Sequence, residues 1–181
     1  MKKILFATGN QRKIDEAKAA CDDFDIEVEQ LNVDIYEIQS HDPTEISKHK
    51  AQSAFEKAGA PIVVTDTSWR IPALDGFPGG YMKDVSSWLA PEDFISLLSR
   101  HEDKRIFFTE TIIYVDGEEV RIFSEEYEGK IVGTPRGVGE SIEQVAEFEG
   151  STLGEHRERG GISHDPEDYI WYKFAQWYTE Q

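Results

Sequence analysis

The sequence predicts an α/β domain built on a mixed sheet, and three observations carry that reading. Apolar runs at 2–7, 26–31 and 62–65 alternate with amphipathic stretches at 11–22 and 44–59. Two long strand-like runs, 105–115 and 119–132, meet at a turn of Asp116 and Gly117. No repeat, low-complexity tract or interdomain linker breaks the 181 residues, so one domain covering 1–181 is expected.

In chain order, Ile4 to Ala7 read as a buried strand that stops at Thr8, Gly9 and Asn10, and the helix 11–22 follows at once. A strand at 26–31 comes next. Pro43 and Thr44 mark the entry to the helix 44–59, since proline suits the first helical turn. Ile62, Val63 and Val64 form a central strand that delivers Asp66 to a polar edge. Pro91 opens a short helix at 91–99, the two long strands follow, and the last 15 or so residues, with Tyr169, Ile170, Tyr172, Phe174 and Trp177, predict a closing aromatic helix.

Composition narrows the function classes. With 39% hydrophobic residues a real core forms, no segment is long and apolar enough to cross a bilayer, and no signal peptide follows Met1. The single cysteine, Cys21, has no partner for an internal disulfide, so a soluble cytoplasmic protein is expected. The formal charge of −17 opposes broad contact with nucleic acid. It leaves room for a small anion in a local basic pocket, for which Lys13, Lys50 and Lys83 are candidates, each of them also readable as a solvated surface lysine.

The turn ATGNQRK points to such an anion. Gly9 lets the backbone come close, the first N–H groups of a helix have no intrahelical acceptor, and Lys13 adds positive charge. It is neither a Walker loop nor a GxGxxG turn. A second polar strand end, at Asp66, lies downstream in VVTDTSWRIPALDGFPGGYMK.

Taken together, TGNxxKxxE at Thr8–Glu16, the acidic Glu37 before EISKHKAQSA, the DTS at Asp66–Ser68, ALDGFPGGYMK at Ala73–Lys83 and TPRG at Thr134–Gly137 resemble the inosine triphosphate pyrophosphatase family, the HAM1-like noncanonical purine nucleotide pyrophosphatases. Five motifs in order cover residues 3 to about 137. The resemblance implies an elongated α/β fold with two lobes around a central cleft, commonly a homodimer. It also implies magnesium-dependent cleavage of a nucleoside triphosphate, of inosine or xanthosine type, between the α and β phosphates.

In that scheme Thr8, Asn10 and Lys13 hold phosphate oxygens beside the Gly9 backbone, and Lys50 and Lys83 neutralise the phosphate chain. Glu37 and Asp66 bind Mg2+, Asp66 also activates the attacking water, and Thr67 and Ser68 join the substrate site. Oxygen ligands of this kind suit magnesium, which is commonly held by one or two carboxylates plus substrate phosphates.

The chain departs from the family at the base end. After Gly137 the family's FGYDP-type segment is replaced by VGESIEQVAEF, so Ser141 to Gln144 lack both the stacking aromatic and the Asp. Arg159 stands for the family's lysine, and SHR becomes Ser163, His164, Asp165, leaving Arg159 and His164 as the remaining candidate base contacts. Thr65 takes the place of an acid beside Asp66, which leaves the metal site one carboxylate poorer.

Two functions are therefore carried forward. One is the hydrolase. The other is a sensor that binds dITP or ITP, turns it over slowly and regulates a second effector protein, such as an NAD-consuming enzyme in antiphage defence. Trp69, Tyr81 and Trp88 are weighed as core residues or subunit contacts, and Gly76, Pro78, Gly79 and Gly80 as shapers of their loop.

Overall fold

The structure, a computed structural model, describes residues 2–160 and 170–181. Its chain separates into two compact units, 1–66 with 110–125 and 164–181, and 67–109 with 126–163. Strand pairing follows the order β2-β1-β3-β5-β6-β7-β8, with β4 on β3, where β1 is Lys2–Ala7, β2 Ile26–Leu31, β3 Ile62–Arg70, β4 Pro78–Gly79, β5 Arg105–Val115, β6 Val120–Ile131, β7 Ala146–Phe148 and β8 Ser151–Thr152. The sheet is mixed, as expected: β1 is parallel to both β2 and β3, whereas β7 is antiparallel to β6 and β8.

The first unit is a mixed layer, parallel across β2, β1 and β3, and is covered on both faces. Strand alternation turns Ile4 and Phe6 of β1, Val63 of β3 and Ile112 and Tyr114 of β5 toward helices α1 (Gln11–Asp22) and α6 (Ile170–Thr179), where Ile14, Ala17, Trp171 and Phe174 pack against them. The intervening residues Ala7, Ile62, Val64, Ile113 and Val115 face α2 (Pro43–Ala58) through Ala51 and Ala54. Helix α2 begins where Asp42 accepts the Thr44 N–H at 2.8 Å and ends at Gly59 with φ of 62°, a left-handed conformation that costs glycine little. Helix α6 is tied to β1: Lys2 Nζ donates to the carbonyls of Tyr178 and Thr179 at 2.8 and 3.0 Å, and the Tyr178 hydroxyl donates to the Lys3 carbonyl at 2.9 Å.

The second unit holds α3 (Met82–Trp88), α4 (Pro91–Leu97) and α5 (Leu153–Glu158) around a core of Trp69, Ile71, Phe94, Leu98, Ile106, Ile142 and Val145. Trp69 is a core residue, 4% exposed, while Trp88 is 73% exposed. The backbone crosses itself closely at Gly137: a Cβ there would lie 2.0 Å from the Gly154 carbonyl carbon, and φ is 78°. Only glycine satisfies both conditions.

Candidate active site

The turn between β1 and α1 is built by its own side chains. Thr8 Oγ1 accepts the Asn10 N–H at 3.1 Å, and Asn10 Oδ1 caps the helix by accepting the Arg12 N–H at 3.0 Å. Gln30 Nε2 donates to the Thr8 carbonyl at 2.9 Å, fixing the turn to β2. A Cβ on Gly9 would meet nothing within 4 Å, so the space over the helix start is open to a ligand. The Asn10 carboxamide oxygen is occupied by the cap, which leaves its NH2 as the donor for an anion.

The opposite face of this layer supplies the acids. Ser47, Lys50, Ala51 and Ala54 share one face of α2 by their three- and four-residue spacing. Ser47 is 3% exposed, and its Oγ lies 2.9 Å from Asp66 Oδ2 and 2.9 Å from the Pro43 carbonyl, so its single proton serves either acceptor. One turn further along, Lys50 Nζ meets Glu37 Oε1 at 3.0 Å, with the lysine side chain 18% and the glutamate 42% exposed. Glu37 and Asp66 are thus anchored to neighbouring positions of one helix face. Two carboxylates of this kind fit a hard divalent cation that completes its shell with water and phosphate, and no group of three or more His, Cys, Asp or Glu suited to a metal occurs among the described residues.

Lys13 is coupled to this group. Burial lowers its pKa first and the Lys50 charge lowers it further, with Arg12 a smaller contribution in the same direction, while Asp66 and Glu110 pull it back up. Among the described residues the Lys13 ammonium has no hydrogen bond or ion pair of its own. A partly buried cation without a close partner can receive an anion.

Sequence reasoning missed Glu110 and Ser47. Glu110 is half-buried; its pKa is raised by burial and by Glu16, against the lowering pull of Lys13 and Arg12. The signal was present as an acid within a strand otherwise buried on both sides, because Glu110 sits two residues before Ile112 and four before Tyr114 on the side of β5 that faces α1 and α6. Thr65, which stands where the resemblance implies an acid beside Asp66, shares the parity of Val63 and so faces the α1 side, whereas Asp66 faces α2. Its Oγ1 is buried with no hydrogen-bond partner among the described residues.

The remaining candidates belong to the second unit. Thr67 and Ser68 continue β3, Lys83 is an exposed residue of the first turn of α3, and Arg159 donates to Ser151 Oγ at 2.8 Å and to the Glu155 carbonyl at 3.3 Å. His164 lies outside the described residues. The segment that replaces the family's base-reading motif folds onto itself. Glu143, only 6% exposed, pairs with Arg157 and accepts the Glu140 N–H at 2.9 Å, while Ile142 and Val145 are fully buried.

The family model described as the Ham1 family matches residues 4–166. The chain belongs to the Ham1 family. Within it, this Ham1 chain is 35% identical to the dITP/XTP pyrophosphatase of Methanopyrus kandleri over 97% of its own length and 96% of that protein's. It is 32% identical to the Methanosarcina acetivorans dITP/XTP pyrophosphatase over the whole of both chains, and 35% identical to the inosine triphosphate pyrophosphatase of Ajellomyces capsulatus over 99% and 98%. Its fold matches the solved HAM1 protein of Coxiella burnetii with a TM-score of 0.84 at 21% identity, covering all of both chains. The Staphylococcus aureus Ham1 structure follows at 0.78 and 22%, covering 99% of this chain and all of that one.

Proposed function

We propose that this Ham1 chain hydrolyses purine nucleoside triphosphates of the deaminated type, such as dITP, ITP or XTP, to the monophosphate and pyrophosphate. The observation that carries the reading is the grouping of Lys13, Lys50 and Asp66 beside the open Gly9 turn, and the names of the full-length relatives supply the substrate class. Thr8, Gly9, Asn10 and Lys13 cradle phosphate oxygens, and Lys50 exchanges part of its Glu37 contact for the phosphate chain. Asp66, oriented by Ser47, accepts a proton from the attacking water as that oxygen bonds to phosphorus. The P–O bond between the α and β phosphates breaks, and pyrophosphate leaves with its charge stabilised by the lysines. Glu37 and Asp66 are the residues that would hold Mg2+, which when bound withdraws charge from phosphate and lowers the cost of forming hydroxide.

On the family resemblance alone, Thr67, Ser68, Lys83 and Arg159 are kept as candidate substrate contacts. A homodimer is part of the proposal, with the exposed Trp88 as an aromatic anchor. The self-paired Glu143 and the buried Ile142 favour a base preference set by other groups than the family's aromatic and Asp.

A panel of inosine, deoxyinosine, xanthosine and the ordinary eight nucleoside triphosphates, with pyrophosphate release and binding followed in parallel, tests the reading. Release from the deaminated members supports it. Binding without release, in a protein whose Asp66 and Lys13 are intact, replaces it with the sensor that signals to a second protein.

A further inference from the structure

We propose that Glu110 is a proton-linked positioning residue of the phosphate cradle, taking up a proton when a polyphosphate binds at Lys13 and releasing it when pyrophosphate leaves. This rests on the reading of Lys13 as a phosphate ligand.

The geometry places Glu110 among charges that are already committed elsewhere. By the alternation of β5 it faces the side on which Ile112 and Tyr114 share one core cluster with Ile14 and Ala17 of α1, and Lys13 and Glu16 immediately precede those two helix residues. Arg12 is engaged by Glu16 at 3.0 Å. On the neighbouring strand, the Asp116 N–H to Glu119 carbonyl bond at 3.3 Å and the Thr111–Ser124 contact at 3.5 Å set a register that puts Glu125 opposite Glu110. Glu125 is held by Lys173 of α6. Thr65, which faces the same side from β3, carries no charge. Lys13 is the stronger of the two cations that favour the ionised Glu110, Arg12 being the weaker and already engaged by Glu16, and Lys13 and Glu110 act on each other electrostatically.

A polyphosphate bound at Lys13 removes that counter-charge and adds several negative charges of its own. An ionised Glu110 would then repel the ligand from a half-buried position, where screening is weak. Neutralising the carboxyl with one proton removes the repulsion. Because burial and Glu16 raise the pKa of the free Glu110 from its ordinary value, this proton is taken up at higher pH than by an exposed glutamate. Binding and protonation are linked, so affinity falls as pH rises through the titration of Glu110.

Calorimetry with inorganic pyrophosphate, with and without magnesium, in two buffers of different ionisation heat measures the protons taken up per bound anion. The pH is varied from the ordinary glutamate range to neutrality. Wild type is expected to take up as much as one proton more than Glu110→Gln, and its Kd to rise by up to about tenfold per pH unit relative to that variant. The ligand's own protonation is common to both proteins and cancels. Glu16→Gln should move the wild-type window to lower pH, and it carries the test if Glu110→Gln does not fold. Equal proton uptake in wild type and Glu110→Gln, an unmoved window in Glu16→Gln, or loss of pyrophosphate binding by a folded Glu110→Gln overturns the assignment of Glu110. Failure of the wild type to bind pyrophosphate under any of these conditions overturns the phosphate reading of Lys13 itself.

Discussion

Replacing Lys13 by methionine should make the protein more stable and a poorer binder of triphosphates at once. The methionine keeps an apolar stem of similar length and removes the ammonium, which among the described residues donates to no protein acceptor, so no buried partner is orphaned. What disappears is the cost of keeping a charge in a desolvated place beside Lys50.

The sign of the pH dependence follows from the direction of the shift. A lysine whose folded pKa is below its unfolded value destabilises the fold fully at pH below the folded pKa, and that penalty vanishes as pH rises to the ordinary lysine value of about 10.4. The advantage of Lys13→Met should therefore be present at neutral pH and fade in alkali. On the binding side, losing one charge-assisted hydrogen bond to phosphate costs about 1.5–3 kcal/mol, or roughly 10- to 150-fold in Kd. Urea unfolding at neutral and alkaline pH, with titrations of a deaminated triphosphate and its bare nucleoside, reads both sides. A variant that is less stable at neutral pH, or that loses nucleoside and triphosphate affinity equally, would falsify the assignment of a partly buried, phosphate-directed lysine.

Asp66→Asn should abolish pyrophosphate release while leaving nucleotide binding largely intact, since the amide keeps the shape but cannot take a proton; turnover at the wild-type rate removes Asp66 from the mechanism. Ser47→Ala should lower kcat about tenfold, with little change in binding, because about 1.5 kcal/mol is the lower end for a hydrogen bond to a charged group and the hydroxyl is shared with the Pro43 carbonyl. An unchanged kcat would mean that Asp66 is oriented by other contacts. Gly137→Ala should destabilise by a few kcal/mol through overlap with Gly154 and left-handed strain, measured as a fall in urea midpoint; a midpoint equal to wild type contradicts the close crossing.

The first unit was legible because its elements are long and periodic. The strands Lys2–Ala7, Ile26–Leu31 and Arg105–Val115 and the helix Gln11–Asp22 fall where alternation and capping place them, and Pro43 with Gly59 brackets α2. The second unit was harder: α3 has seven residues, α5 six, and β4 and β8 two each, too short for either periodicity to emerge. Their positions follow from packing around Trp69, Phe94 and Ile142. The same limit applies to the candidate site. Lys13 and Asp66 stand out as polar residues at the ends of apolar runs, but Ser47 reaches Asp66 across 19 residues of sequence, and nothing local in α2 announces it. Glu110 was readable only by asking why an acid interrupts the core-facing side of β5.

The tie between β1 and α6 bears on how the protein comes into being during synthesis. Lys2 and the Tyr178 carbonyl that it grips are 176 residues apart, so the strand carrying the Thr8 turn is made early and waits for a helix made much later. Until Tyr178 arrives, the nascent strand lacks the clasp at its outer end, and Phe6 lacks the Trp171 ring 4.9 Å away. A chain cut short before α6 should therefore emerge with the Thr8 turn unsupported, which ties the appearance of activity to the synthesis of α6. The same clasp sets Lys2 beside Thr179, so linking these two positions and opening the chain at the Asp116–Gly117 turn offers a permuted protein in which the early and late partners are made side by side.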